Sequence, residues 1–228
     1  MDNDFSSQRL SLDQRVHFWW LSALVLLAGC ASLPWQERER TSMITPRMRM
    51  AAIQEIGMRA KDADADEQQR LTEQLATQIQ TEPDPLVRRT IQEAIGEFST
   101  TLARDVLVAG LQDEDQGVRL ACCQALGQRG DPQVVSALSQ VIADDKDLDI
   151  RLAAIDSLGQ TKLPQSTAAL AKAINDRDPA LQYAGVQALK SISGQDLGND
   201  VTAWRQYAAT QQQPEASVAE RPGVSSPF

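Results

Sequence analysis

Apolar residues return at a helical interval through the middle of this chain. With Val118 taken as position zero, Val118, Ala121, Cys122, Ala125 and Leu126 fall at 0, 3, 4, 7 and 8, one face of a 3.6-residue helix. The same slots hold Val87, Thr90, Ile91, Ala94 and Ile95. They recur as Ile150, Ala153, Ala154, Ser157 and Leu158, and again as Leu181, Ala184, Gly185, Ala188 and Leu189. Small residues in the middle slots predict close helix–helix approach. An Asp before the first turn with Pro at the first helical position opens a helix well. Asp84-Pro85, Asp178-Pro179 and Asp131-Pro132 all have that form. Gly96, Gly127 and Gly159 follow the apolar slots and are expected to stop their helices in the left-handed conformation.

The pattern is periodic at a larger scale. Arg88, Arg119, Arg151 and Gln182 occupy one register position, at intervals of 31, 32 and 31 residues. A degenerate earlier copy, Thr45 to Gly57, puts Arg49 in the arginine slot. Partner helices are expected near 68–81, 101–112, 132–143 and 165–175. Self-similarity at such a period means stacked supersecondary units. The expected fold class is all-α, an α-solenoid of antiparallel helix hairpins over residues 45–192.

The pattern D-P-x-V-R-x-x-A-x-x-A-L-G, recurring in register, resembles HEAT-like repeats of the phycobilisome-lyase type. The resemblance implies paired antiparallel helices whose second members line the concave side. It also implies a structural role for the Arg column, each guanidinium bridging a neighbouring repeat's loop with its fork of donors. Bilin attachment has no support in these residues. Downstream, Gly194-Gln-Asp-Leu-Gly198 followed by Trp204 resembles a G-x-D-x-G…W segment that ends such arrays in some bacterial lipoproteins. We expect a capping segment over 193–209, with Trp204 covering the last hairpin, because solenoids need capped ends. The Gln-, Ser- and Pro-rich residues 210–228 are expected to be a disordered tail.

The first 44 residues depart from the repeat. Val16 to Ala28 is an apolar run too short for a membrane span, which needs about 20 residues, and it suits a signal-peptide core. It closes on Leu27-Ala-Gly-Cys30, which resembles the lipobox of bacterial lipoproteins. That resemblance implies a signal peptide over 1–29, acylation (palmitate) at Cys30, and a lipid anchor in a bacterial cell envelope. Residues 30–44 would be a tether, with Trp35 either at the lipid interface or packed on the first helix.

Composition narrows the function. The 228 residues carry a net charge of −9 and 4% aromatics. That acidity argues against nucleic acid as a partner, because such sites cluster Lys and Arg. Three Cys and one His make a Cys/His metal site an unfavoured reading, and no cofactor is expected. Asp62, Asp64 and Asp66 alternate but lack the Gly and the closing Glu of a Ca²⁺ loop. The single His lies in the leader, so no catalytic base is evident and no enzyme is expected.

Beyond the core slots, positions +2 and +5 lie near 200° and 140° at about 100° per residue. They hold Arg89 and Gln92 in one copy. In the next three they hold Leu120 and Cys123, Leu152 and Ile155, Tyr183 and Val186. These six apolar residues are the expected partner-binding stripe for a protein or peptide on the concave face. The expected function is therefore a membrane-anchored, non-catalytic interaction scaffold. The alternatives are a structural envelope protein without a discrete ligand and a lyase-type enzyme relative.

Overall fold

The computed structural model describes residues 45–212. Cys30, the leader and the tether lie outside the described residues, as do residues 213–228 of the expected tail; residues 210–212, also expected in that tail, are instead helical.

Ten helices and no strand occur among the described residues. They are α1 (Pro46–Arg59), α2 (Ala65–Ile79), α3 (Pro85–Gly96), α4 (Thr101–Gly110), α5 (Gln116–Arg129), α6 (Val134–Asp144), α7 (Leu148–Gln160), α8 (Ser166–Ile174), α9 (Pro179–Ser193) and α10 (Val201–Gln212). The pairs α2–α3, α4–α5, α6–α7 and α8–α9 are the four hairpins. Helix α1 occupies the register of a second helix and stacks on α3. Second helices pack on one another along the whole array, α1 on α3, α3 on α5, α5 on α7 and α7 on α9. The first helices touch one another less extensively.

Local sequence explains the helix starts. Asp64, Asp84, Asp115 and Asp178 accept backbone N–H groups of their own first turns, as do Thr45 and Thr100. Pro46, Pro85 and Pro179 sit where no N–H is needed. Asp131-Pro132 does not open α6. Asp131 instead accepts from the Gln133 N–H in a turn, and the helix starts at Val134.

The core slots are buried as their spacing requires. Val87, Ile91, Ile95, Val118, Cys122, Leu126, Ile150, Ala154, Leu158, Leu181 and Leu189 have essentially no exposed surface. Leu75, Leu107, Leu138 and Leu170 meet them from the first helices.

The three expected glycine stops are a correction. Gly96, Gly127 and Gly159 are helical, and the positive-φ glycines are Gly130, Gly194 and Gly198. The helical glycines are contact points. A Cβ on Gly127 would stand 2.8 Å from Cα of Ser157, and one on Gly96 would stand 2.9 Å from Cβ of Ala125. Gly57 meets Ala94 and Gly159 meets Ala188 in the same way, each at 3.1 Å. Position +9 of each second helix thus rests on the small +7 residue of the next. The last repeat, with no successor second helix, has Lys190 at +9.

The end of the array is closed by α10, which packs on α8 and α9. Trp204 is fully buried and donates Nε1–H to the Gly198 carbonyl at 3.0 Å. Asp196 accepts the Gly198 N–H, and Gly194 and Gly198 take the left-handed turns that a Cβ disfavours. The G-x-D-x-G…W spacing is therefore one folded unit: a double turn pinned to the indole that seals the stack.

Candidate functional site

One edge of the array is a ladder of ion pairs. The Arg88 guanidinium grips Asp113 with two bonds of 2.9 and 2.8 Å. Arg119 does the same to Asp145 and also donates to Asp147. Arg151 reaches Asp176, and Arg49 reaches Glu82 at 3.0 Å. Arg88, Arg119 and Arg151 each also donate to a backbone carbonyl, as Arg119 does to Asp113 O and Glu114 O. Gln182, in the last repeat, keeps that backward bond to Asp176 O. The acids receive further support, because Asp113, Asp145 and Asp176 each accept the N–H two residues on, at 2.9 Å. The Arg column is structural, as expected, and the loop acids are its partners.

Titration shifts follow from these contacts. Burial pushes the Asp113 carboxyl up, but the Arg88 bond, the Asp115 N–H and the nearby guanidinium charges outweigh it and hold the group below its ordinary range. The Asp178 N–H, with Arg151, lowers Asp176. The Asp113 hydrogen bond raises Arg88. A hollow of about 350 Å³ on this edge is lined by Asp113, Glu114, Arg119, Asp144, Asp145 and Lys146, among others. Its Arg119, Asp113 and Asp145 are already bound to the ladder.

Two cysteines lie inside. Cys122 and Cys123 are both buried free thiols. Burial, reinforced by the Asp145 charge and opposed by Arg119, pushes Cys123 up to about 12. Burial raises Cys122 well above its usual value. A thiolate is the nucleophilic form, so both groups are inert near neutral pH.

The structure divides the expected stripe. Leu120 and Leu152 are half-buried and Tyr183 is 59% exposed. Cys123, Ile155 and Val186 are fully buried, and so is Gln92 at the same position. The correction has a simple cause. A second helix in a stack has neighbours on both sides as well as its own hairpin partner. Position +5 points along the stack, where Ser157 Oγ donates to the Cys123 carbonyl at 2.7 Å. The open face is centred instead on +2, +6 and +10. These positions hold Leu120, Gln124 and Gln128 on α5, Leu152, Asp156 and Gln160 on α7, and Tyr183, Gln187 and Ser191 on α9. It is a half-exposed apolar row edged by carboxamides and a carboxylate.

Grooves between second helices complete the face. One of about 320 Å³ separates α1 from α3 and is lined by Met58, Lys61, Glu93 and Glu97 over the Gly57–Ala94 contact. Another, of about 170 Å³, separates α7 from α9 above Gly159–Ala188. Sequence reasoning missed both. The recurring Gly at +9 opposite a small residue at the next +7 was their signal.

Among the described residues no group of three or more His, Cys, Asp and Glu side chains is arranged to hold a metal, and no helix is long and apolar enough to cross a membrane.

Comparison with known proteins places these features. A family profile of HEAT repeats matches residues 72–158 and 139–206. No curated protein sequence matches the chain. Among solved structures, the complex of CpcE and CpcF of phycocyanin lyase from Nostoc sp. PCC7120 is similar, with a TM-score of 0.48 and 17% identity, covering 74% of this chain and 76% of that one.

Proposed function

Because this chain belongs to the HEAT-repeat family, we propose that it is a membrane-anchored, non-catalytic scaffold that holds a protein or peptide partner on its second-helix face. The observation that carries the reading is the row Leu120, Leu152 and Tyr183, aligned on three successive helices. Tyr183 is a large apolar-bodied side chain left mostly in solvent, beside Leu120 and Leu152, which keep part of their surface accessible. Contiguous apolar surface of this kind marks interaction sites. The more extensive packing among second helices supports placing the concave side there. The strongest ion-pair clusters have structural roles, which supports a binding function over a catalytic one.

The anchor in this reading is Cys30, supported by the apolar run that Leu27-Ala-Gly-Cys30 closes. The protein then sits in a bacterial cell envelope, tethered by acyl chains, with the acidic solenoid facing the aqueous side.

The test is affinity capture from native membranes with the full chain, beside the Leu152→Asp/Tyr183→Asp variant. A stoichiometric partner held by the parent and lost in a variant of unchanged melting temperature is the expected result. Equal capture by both would refute the site. Mass spectrometry should find acyl chains on an N-terminal Cys30, and a mature protein that keeps Met1 would refute the anchor.

A further inference from the structure

The described array begins and ends on half a repeat. Helix α1 stands in a second-helix position and has no first helix of its own hairpin among the described residues. Helix α10 stands in a first-helix position. It packs more on α8 than on α9, as α8 packs more on α6 than on α7, and no second helix follows it among the described residues. Each end therefore offers the half that the other needs.

Burial shows the same asymmetry. Slots 0 and 4 are closed in the later second helices, where Val118 and Cys122 have no exposed surface. In α1 those slots hold Met48, which is 58% exposed, and Ala52, which is also exposed, as is Ala51 at +3. A helix that only capped the stack would present a polar outer face. On α10, Val201, Ala203 and Tyr207 are half-buried. First helices inside the array meet slots 0 and 4 with apolar side chains in the same way, as Leu107 and Leu138 do.

The internal contacts define a register for such a junction. Position +9 of one second helix rests on +7 of the next in all four of them, Gly57 on Ala94, Gly96 on Ala125, Gly127 on Ser157 and Gly159 on Ala188. Carried one step past each end, this register brings Lys190, at +9 of α9, to Glu55, at +7 of α1 in a following copy. Every other +9 is Gly and every other +7 is Ala or Ser. The two positions that depart from small residues are therefore the two at the ends, and they carry opposite charges. Side chains of this length hold the helices further apart than the glycine contacts do and fill the gap with an ion pair. Lys190 donates to Asn199 Oδ1 at 3.0 Å and lies 3.5 Å from the exposed Asp196, which leaves a donor for a further carboxylate. Neighbouring charges do not compete. Arg49 is bound to Glu82, Arg59 to Glu67 and Arg205 to the Ile174 carbonyl. Arg47 is eight residues from Glu55, about 12 Å along the helix.

We propose that copies of this chain stack end to end, α9 and α10 of one copy completing a repeat with α1 of the next, and Lys190 pairing with Glu55 across the junction. The contact is heterologous, so it extends into a row of copies instead of stopping at a dimer. It uses the ends of the array and leaves Leu120 and Leu152 open, so it stands apart from the scaffold reading.

The experiment is sedimentation velocity on the full chain in a density-matched neutral detergent, with micelles in excess so that copies do not share one by chance. Carbodiimide coupling of mixed isotope-labelled and unlabelled chains accompanies it. The parent should form species beyond the dimer as its concentration rises, and coupling should join Lys190 of one chain to Glu55 of another. Lys190→Glu and Glu55→Lys each set like charges against one another, and each should weaken association by about tenfold or more. Mixing the two variants places opposite charges at every junction and should recover assembly, which also shows that both are folded. A parent that stays monomeric at every concentration would overturn the proposal, as would a dimer that does not grow. Single variants that associate like the parent, or that mixing does not rescue, would overturn it equally.

Discussion

Gly127→Ala is the substitution that separates a glycine stop from a glycine contact. In an ordinary helix interior, Ala is favoured over Gly by about 1 kcal/mol, so the change would raise stability. Here the added Cβ would lie 2.8 Å from both Cα and Cβ of Ser157 and 3.1 Å from its carbonyl oxygen. Comfortable carbon contacts are about 3.5–4.0 Å, so α5 and α7 must move apart by a large fraction of an ångström. That movement also stretches the 2.7 Å bond from Ser157 Oγ to the Cys123 carbonyl. Overpacking of this kind costs about 1–3 kcal/mol, which offsets or exceeds the propensity gain. A domain of this size changes its melting temperature by about 2–4 °C per kcal/mol. The net loss of up to about 2 kcal/mol should lower the midpoint of Gly127→Ala by up to about 8 °C in far-UV circular dichroism. Gly159→Ala, whose Cβ would meet Ala188 at 3.1 Å, should be milder. A cycle with Ser157→Gly should show coupling of about 0.5 kcal/mol or more. A raised melting temperature for Gly127→Ala, or a larger loss at Gly159 than at Gly127, would refute the contact.

Three further outcomes test the rest of the framework. Arg119 is 4% exposed and its removal strands the buried Asp145, so Arg119→Ala should cost about 3–5 kcal/mol in denaturant titration; Lys at this position should rescue little, because an ammonium cannot fork across two carboxylate oxygens. Asp113 and Asp176 are held low in the folded state, whereas the unfolded chain regains the ordinary value near about 3.9. Their stabilisation is therefore present above that value and lost as pH falls through the folded one, so a melting series in acid should fall more steeply for the parent than for Asp113→Asn. Cys122 and Cys123 should resist iodoacetamide at neutral pH and react only as the protein unfolds, with mass spectrometry as the readout.

The repeat was legible because one helix face carries large apolar residues at 0 and 8, with an apolar or small residue at 4, in each of the four full copies. Val118, Cys122 and Leu126 show it, and their burial needs only a single partner helix. What lay beyond that face was not legible from one helical wheel. Cys123 is covered by the next second helix, as the Ser157 bond to its carbonyl shows, and Ile155 and Val186 at the same position are equally buried, whereas the wheel of an isolated helix has no neighbours. The same blind spot turned Gly96, Gly127 and Gly159 into stops, since a glycine after an apolar run has that meaning in a solitary helix. The signal that distinguishes the cases was present in the last copy, where Lys190 replaces the glycine once there is no second helix left to meet. Gln182 in the arginine slot says the same of the loops, because the ladder pairs Arg88–Asp113 and Arg151–Asp176 span 25 residues and that spacing from Gln182 reaches Tyr207 of α10 instead of a loop Asp. The half-exposed Leu120 and Leu152 and the open Tyr183 depend on side-chain packing across three helices, which a residue pattern does not encode.

The central claim is that partners are held on the second-helix face. Site-specific photo-crosslinking in native membranes tests it most directly, with benzoylphenylalanine placed singly at Leu152 and Tyr183 and, on the exposed surface of first helices, at Glu73 and Ser136. The account predicts one discrete adduct from positions 152 and 183 and none from 73 and 136. An adduct of equal yield from the first-helix positions, or one formed there alone, would contradict it.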